Sequence, residues 1–275
     1  MDLLQAFSLA LIQGITEFLP VSSSAHLILP AVVLGWQDQG LAFDVAVHFG
    51  SLLAVIWYFR QDILRLSSAL IERIASGQKT KDSSFSTNLI IASLPILPIG
   101  FLFRFDIEQH LRSVNTIIIT TIVFAILLLA ADRLGRHNPR DADLDWKKAL
   151  LIGASQCLAL IPGTSRSGIT MTAALLTGFT REEASRISFL ISIPTIAAAS
   201  SLKFADLVLS TTPIDWFTLL TGAVVAMISA YLCIRLFLNV IARIGFLPFV
   251  IYRILLGGLL LVLVALQTET GIVFH

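Results

Sequence analysis

Gln13-Gly-Ile-Thr-Glu17-Phe-Leu-Pro20-Val-Ser22-Ser23-Ser24-Ala-His26 interrupts an otherwise apolar stretch over residues 3–36. A proline, a run of serines and two ionisable groups in mid-stretch do not suit a plain membrane-spanning helix. Each arm beside the turn holds roughly 12–17 residues, too few to cross ~30 Å of hydrocarbon comfortably at ~1.5 Å per residue. The pattern recurs over 149–178, where Pro162-Gly163-Thr164-Ser165-Arg166-Ser167-Gly168 breaks a second apolar stretch. Irregular backbone at membrane depth is tolerated only where protein or a water-filled cavity surrounds it. Two re-entrant helical hairpins meet that constraint. Kinked pairs of full spans, giving ten crossings, are the alternative.

Working outward, the chain of 275 residues is 56% hydrophobic and 13% charged, with a mean hydropathy of +0.86. Soluble domains carry about 25% charged residues, so the composition excludes a water-soluble globular enzyme and a disordered chain. The net charge of +1 implies no polyanion-binding surface and no nucleic-acid partner. Cys157 and Cys233 both lie in apolar runs, which indicates neither a disulfide framework nor a cysteine metal site. Met1-Asp2 offers no basic leader and the first apolar stretch carries Gln13 and Glu17, so no cleavable signal peptide is expected.

Six further apolar runs, at 43–59, 88–104, 115–132, 185–203, 216–236 and 249–267, are expected to span a membrane. Their connections differ in charge. Residues 60–87 hold Arg60, Arg65, Arg73, Lys79 and Lys81, and 133–148 hold Arg133, Arg136, Arg140, Lys147 and Lys148. Residues 105–114 contribute only Arg112, and 204–215 no Lys or Arg. The excess places both basic connections in the cytoplasm.

A shift of 142 positions superposes Leu9 on Leu151, Pro20 on Pro162, Ser23 on Ser165, Ala31 on Ala173 and Leu34 on Leu176. Each interrupted stretch is followed by three spans, an odd number, so the second copy enters from the opposite side. The expectation is a single all-α polytopic membrane domain over 1–275 with an inverted-topology repeat, about 3–133 and about 148–267. Each half is a re-entrant hairpin (3–36 or 149–178) followed by three transmembrane helices. The tips meet near the midplane, and both termini lie outside.

Ionisable groups within apolar segments mark function by default, and here they gather at the two turns. The first supplies Gln13, Glu17, Ser22, Ser23, Ser24 and His26; the second supplies Gln156, Thr164, Ser165, Arg166, Ser167 and Thr170. Arg166 offers a planar fork that matches phosphate oxygens. The turn with Gly163 and Gly168 can present backbone N–H groups to an anion. His26 exchanges a proton near neutral pH, Ser22 or Ser23 is a candidate nucleophile, and Glu17 is a candidate base or ligand to a divalent cation. These are parts for phosphoryl transfer, on a phosphate carried by a hydrophobic tail. The structural readings stand beside this one. Ser24, Ser167 and Thr164 can simply bond backbone, and Arg166 can neutralise Glu17 to hold the fold. Gln13 and Gln156 read as orienting groups, and His48 and Arg253 as packing or snorkelling residues. Pro95, Pro98, Pro194 and Pro248 read as kinks.

The stretch Gln13–His26 resembles the first signature of the bacterial undecaprenyl-diphosphatases, the bacitracin-resistance proteins. Pro162–Thr170 resembles the second, with Gln156-Cys-Leu-Ala-Leu leading into it, and the similarity extends to Phe246–Arg253. The resemblance implies a bacterial cytoplasmic (inner) membrane enzyme that hydrolyses undecaprenyl diphosphate to the monophosphate and phosphate. That recycles the lipid carrier for peptidoglycan and confers bacitracin resistance. By position, Glu17, Ser23, His26 and Arg166 match the family's principal active-site residues. Ser22, Ser24, Gly163, Thr164, Ser165, Ser167, Gly168 and Thr170 would surround the diphosphate, in a site opening to the outer, periplasmic face. The family's first motif begins with Glu or Gln; Gln13 here leaves Glu17 as that helix's one carboxylate to hold Mg²⁺, or else Ca²⁺. Ser23 would attack phosphorus with His26 accepting its proton, the competing route being water activated by His26 or Glu17. The polyprenyl diphosphate and membrane lipid are the expected partners, and a homodimer stays open. The non-enzymatic alternative is a polyprenyl-phosphate flippase or other secondary transporter with a midplane anion site.

Overall fold

The protein is described by a computed structural model covering residues 2–36, 39–111, 113–137, 143–208 and 215–270. Arg112, Arg140 and the chain's two ends lie outside these residues, as does the assignment of the termini to one side. Among the described residues every regular element is helical.

Helix α1 (Leu3–Phe18) opens on a capping box between Asp2 and Gln5 and stops ahead of Pro20. After the turn comes α2 (Ser23–Leu34), then α3 (Gly40–Tyr58), α4 (Arg60–Ser76), α5 (Lys81–Ser93), α6 (Ile96–Leu102), α7 (Arg104–His110) and α8 (Val114–His137). The second half runs α9 (Trp146–Gln156), a 3₁₀ turn (Cys157–Leu160), α10 (Arg166–Leu176), α11 (Arg181–Val208), α12 (Trp216–Ile244) and α13 (Leu247–Thr270).

Among the described residues six helices are long and apolar enough to cross a membrane: Gly40–Tyr58, Lys81–Leu102, Val114–Gly135, Arg181–Leu207, Trp216–Ile244 and Leu247–Leu266. They correspond one for one to the six runs read from hydropathy, and the chain is a multi-pass membrane protein. The helix from Trp216 runs on through the still largely apolar 237–244, and the helix from Arg181 outruns its apolar stretch because charged residues at its ends keep helical propensity after apolarity is lost. For the same reason much of the basic connection 60–87 is α4, which buries little besides Leu66 and ends where Gly77 turns left-handed at φ 73°. Pro95 and Pro98 fall at the junction of α5 and α6 and within α6, and Pro194 lies inside α11. Pro248 makes no kink. It stands in the first turn of α13, where its missing N–H has no partner to lose.

Close backbone contacts set the packing. Both α1 and α3 lie on α12, and α9 lies on α5. A Cβ on Gly50 would stand 2.1 Å from the Ala223 carbonyl oxygen, and one on Gly14 would stand 1.9 Å from Ser229 Oγ. On α9, a Cβ on Gly153 would come within 2.4 Å of the Ala92 carbonyl oxygen. Small residues at such crossings let membrane helices approach closely, so the first arm of each interrupted stretch is seated by glycine. Between them lies an aromatic core in which Phe18 meets Phe189 edge-on at 5.3 Å. A buried Asp132–Arg181 ion pair joins α8 to α11, and Arg181 also donates to the Ala242 carbonyl of α12.

Gly50→Ala inserts a methyl where no space exists, a change that costs about 1–3 kcal/mol by overpacking. Gly258 faces open space. Thermal unfolding in detergent should therefore show a lower midpoint for Gly50→Ala and none of that loss for Gly258→Ala. Equal midpoints would mean that the α3–α12 crossing is not tight.

Candidate active site

The two polar turns lie against each other. Ser22 (φ 74°) and Ser165 (φ 71°) are the only non-glycine residues with positive φ among the described residues. Such backbone costs about 1–3 kcal/mol per residue unless its surroundings enforce it. Each strained serine precedes a helix and lies 3.2 Å, Oγ to Oγ, from the serine two positions on, Ser24 in one turn and Ser167 in the other. Ser165 Oγ also accepts from the Gly168 N–H. By this geometry Ser22, not Ser23, answers to Ser165, one position off the shift of 142. The cause is local: one more residue separates the proline from the strained serine in the second turn.

Carbonyls freed by the turns are met by side chains from elsewhere. Thr120 Oγ1 donates to the Pro162 carbonyl at 2.6 Å, and Ser167 Oγ donates across to the Leu19 carbonyl at 2.8 Å. Arg253 of α13, fully buried, donates through Nη2 to Gly163 at 2.9 Å and Thr164 at 3.0 Å, and through Nη1 to Pro20 at 3.4 Å.

Glu17 is the meeting point of the first turn and the second. Its Oε1 accepts from Arg166 Nη2 at 3.2 Å, and its Oε2 accepts from Ser23 Oγ at 2.8 Å and Gln13 Nε2 at 3.0 Å. Arg166 is anchored further by the Ser188 carbonyl at 3.2 Å and lies over the Phe18 ring at 5.8 Å. Thr170 Oγ1 and Ser188 Oγ pair at 2.7 Å beside it. One carboxylate is thus shared by a cation, a hydroxyl and an amide, all in surroundings that amplify such bonds.

His26 stands apart from this cluster. Its Nδ1 is 2.7 Å from the Ser22 carbonyl, which can only accept, so Nδ1 carries the proton. In the neutral ring Nε2 then accepts from the Tyr252 hydroxyl, and the two rings stack at 5.5 Å. Both ring nitrogens are taken, and the Ser23 hydroxyl is committed to Glu17. Of the other expected residues, Ser24 is exposed, while Thr164 and Gln156 are wholly buried. Gln156 Oε1 accepts from Thr195. Gln13 Oε1, Gln156 Nε2 and Thr164 Oγ1 have no hydrogen-bond partner among the described residues.

The donor set does not fit a resident divalent cation. Both Glu17 oxygens are bonded already, Gln13 Oε1 is the free oxygen nearby, and no group of three or more His, Cys, Asp or Glu converges among the described residues. Hard cations of this kind seek about six oxygens.

Tyr252, Arg253 and Ser188 were not legible as site residues. Ser188 left a signal, because Ser185, Ser188 and Ser192 recur at helical spacing and all three are fully buried. Tyr252 left none beyond its place in the C-terminal stretch.

In comparison with known families, the family model described as Bacitracin resistance protein BacA matches residues 6–259.

Removing the Tyr252 hydroxyl frees Nε2 of His26. Tyr252→Phe should make His26 react several-fold faster with diethyl pyrocarbonate, followed by peptide mass spectrometry, with no change at the other histidines. An unchanged rate would mean that Tyr252 does not cover the ring.

Proposed function

Because the chain belongs to the bacitracin resistance protein BacA family of undecaprenyl-diphosphatases, we propose that it hydrolyses undecaprenyl diphosphate to undecaprenyl phosphate and inorganic phosphate. The observation that carries this reading is the Glu17 carboxylate, which accepts from Ser23 while paired with Arg166. Ser23 Oγ attacks the terminal phosphorus, its proton passes to Glu17 Oε2, and the bridging P–O bond breaks with release of the lipid monophosphate. Water then attacks the phosphoserine, passing its proton to His26 Nε2 once the Tyr252 hydroxyl turns aside, and the Ser23 Oγ–P bond breaks as Glu17 returns the proton to Ser23 Oγ. Arg166 meets the charge that develops on the phosphoryl oxygens, the role in which preorganised donors contribute most. The Ser23–Glu17 bond favours Glu17 over His26 as the first proton acceptor. His26, next to the Ser22 turn, is left to serve the water step. No step is assigned to a divalent cation; Mg²⁺ or Ca²⁺ would enter as counter-ion of the diphosphate.

We also propose that the two interrupted stretches are re-entrant hairpins of an inverted repeat in the bacterial cytoplasmic membrane, with the site open to the outer face. Support comes from the exchange of partners between halves: α1 lies on α12 and α9 on α5. The matched serine turns support it too.

Purified protein in detergent should release phosphate from a prenyl diphosphate. Arg166→Ala should lose about 10²–10³-fold in kcat, the scale of a lost transition-state donor. Ser23→Ala should abolish the ³²P-labelled enzyme that terminally labelled substrate leaves on wild type. Near-full turnover by Ser23→Ala would exclude the serine route. Lipid movement in liposomes without phosphate release would instead favour a transporter.

A further inference from the structure

Arg253 lies on α13, far from both polar turns in sequence, and its side chain is wholly buried. Its three hydrogen bonds run to carbonyl oxygens of both turns: Pro20 in the first, Gly163 and Thr164 in the second. Gly168 keeps the fork seated, since a Cβ there would stand 3.1 Å from Nη1. Beside it the buried Thr164 hydroxyl and the Arg253 Nε–H have no partner among the described residues.

The charge balance is as informative as the geometry. Glu17 is matched by Arg166 in an ion pair of 3.2 Å, both side chains almost fully buried. Arg253 bonds carbonyls and no carboxylate among the described residues, so the joined turns carry one cation in excess. An unpaired buried charge costs several kcal/mol unless something compensates it. Carbonyl dipoles offset part of that cost; an anion entering between the turns would offset the rest.

We propose that Arg253 is a positioning residue that ties the two turns together and supplies the excess positive charge answered by a diphosphate anion. This rests on the phosphatase reading for the identity of the anion, but not for its sign. The fork fixes where Ser23 and Arg166 stand relative to each other, because each sits within a few residues of a carbonyl that Arg253 holds. It touches no reacting atom.

The test uses intact detergent-purified protein and two substitutions, Arg253→Lys and Arg253→Met, read by kinetics on a short prenyl diphosphate. Thermal unfolding with and without inorganic diphosphate is read in parallel. Arg253→Met should raise KM by about tenfold or more, as loss of a buried charge partner does, and lose the stabilisation by inorganic diphosphate. Arg253→Lys should keep KM within a few-fold of wild type yet lower kcat, since one ammonium cannot span three carbonyls. Should Arg253→Met fail to fold, the lysine variant decides: lowered kcat at near-normal KM supports the proposal, and unchanged kcat overturns it. A folded Arg253→Met with normal KM also overturns it, as do losses in both variants that merely track the folded fraction. If wild type is stabilised by inorganic diphosphate but releases no phosphate from lipid, the phosphatase reading fails while the anion site stands.

Discussion

The site depends on a shortage of hydrogen-bond donors for backbone carbonyls inside an apolar helical assembly. Where α1 stops before Pro20 and the 3₁₀ turn stops before Pro162, the chain leaves carbonyls with no helical partner. Water meets such groups at a protein surface, but among packed apolar helices each unmet one costs several kcal/mol. Thr120, Ser167 and Arg253 meet them, from α8, α10 and α13. Three helices are thereby drawn to the two turns, and the polar side chains arrive with them.

Strain and electrostatics follow from that arrangement. Ser22 and Ser165 hold backbone angles that isolated serines avoid, and the donors around them make those angles tolerable. Burial also sharpens the Glu17–Arg166 pair. Breaking a buried pair by removing one partner is far more costly than the pair is worth, because the survivor stays charged and dry. In the proposed reaction substrate resolves this without loss, its phosphoryl oxygens taking over the guanidinium while Glu17 takes the serine proton. The resting ion pair and the reactive arrangement then differ by a short exchange of partners.

What could be read from sequence divides along the same lines. The six spans were legible because length and apolarity are local properties, and each expected run falls on a long apolar helix. Glu17, Ser23 and Arg166 stood out as polar groups in apolar surroundings, and they do converge. The partnering did not follow. His26 and Tyr252 are 226 positions apart, and no local pattern announces that a phenol on α13 will cover that imidazole. Arg253 looked like a snorkelling residue because it lies near the end of an apolar run; only the fold reveals that it points at two turns. The strained serines were invisible too, since serine, unlike glycine, gives no hint of positive φ.

Gln13 shows how these constraints bear on one another. A glutamate there would set two carboxylates four residues apart on one helical face, with Arg166 as the cation already engaged. Like charges at that separation, away from water, would force one of them to stay protonated. The amide instead donates to Glu17 Oε2 at 3.0 Å, turning a repulsive position into a supporting one. Glu17 then keeps a single charge matched by a single guanidinium, and Arg253 is left as the cation without an acidic partner among the described residues. The departure from the two-acid form of the motif is therefore consistent with a site whose net charge is set by arginines rather than by a metal cage.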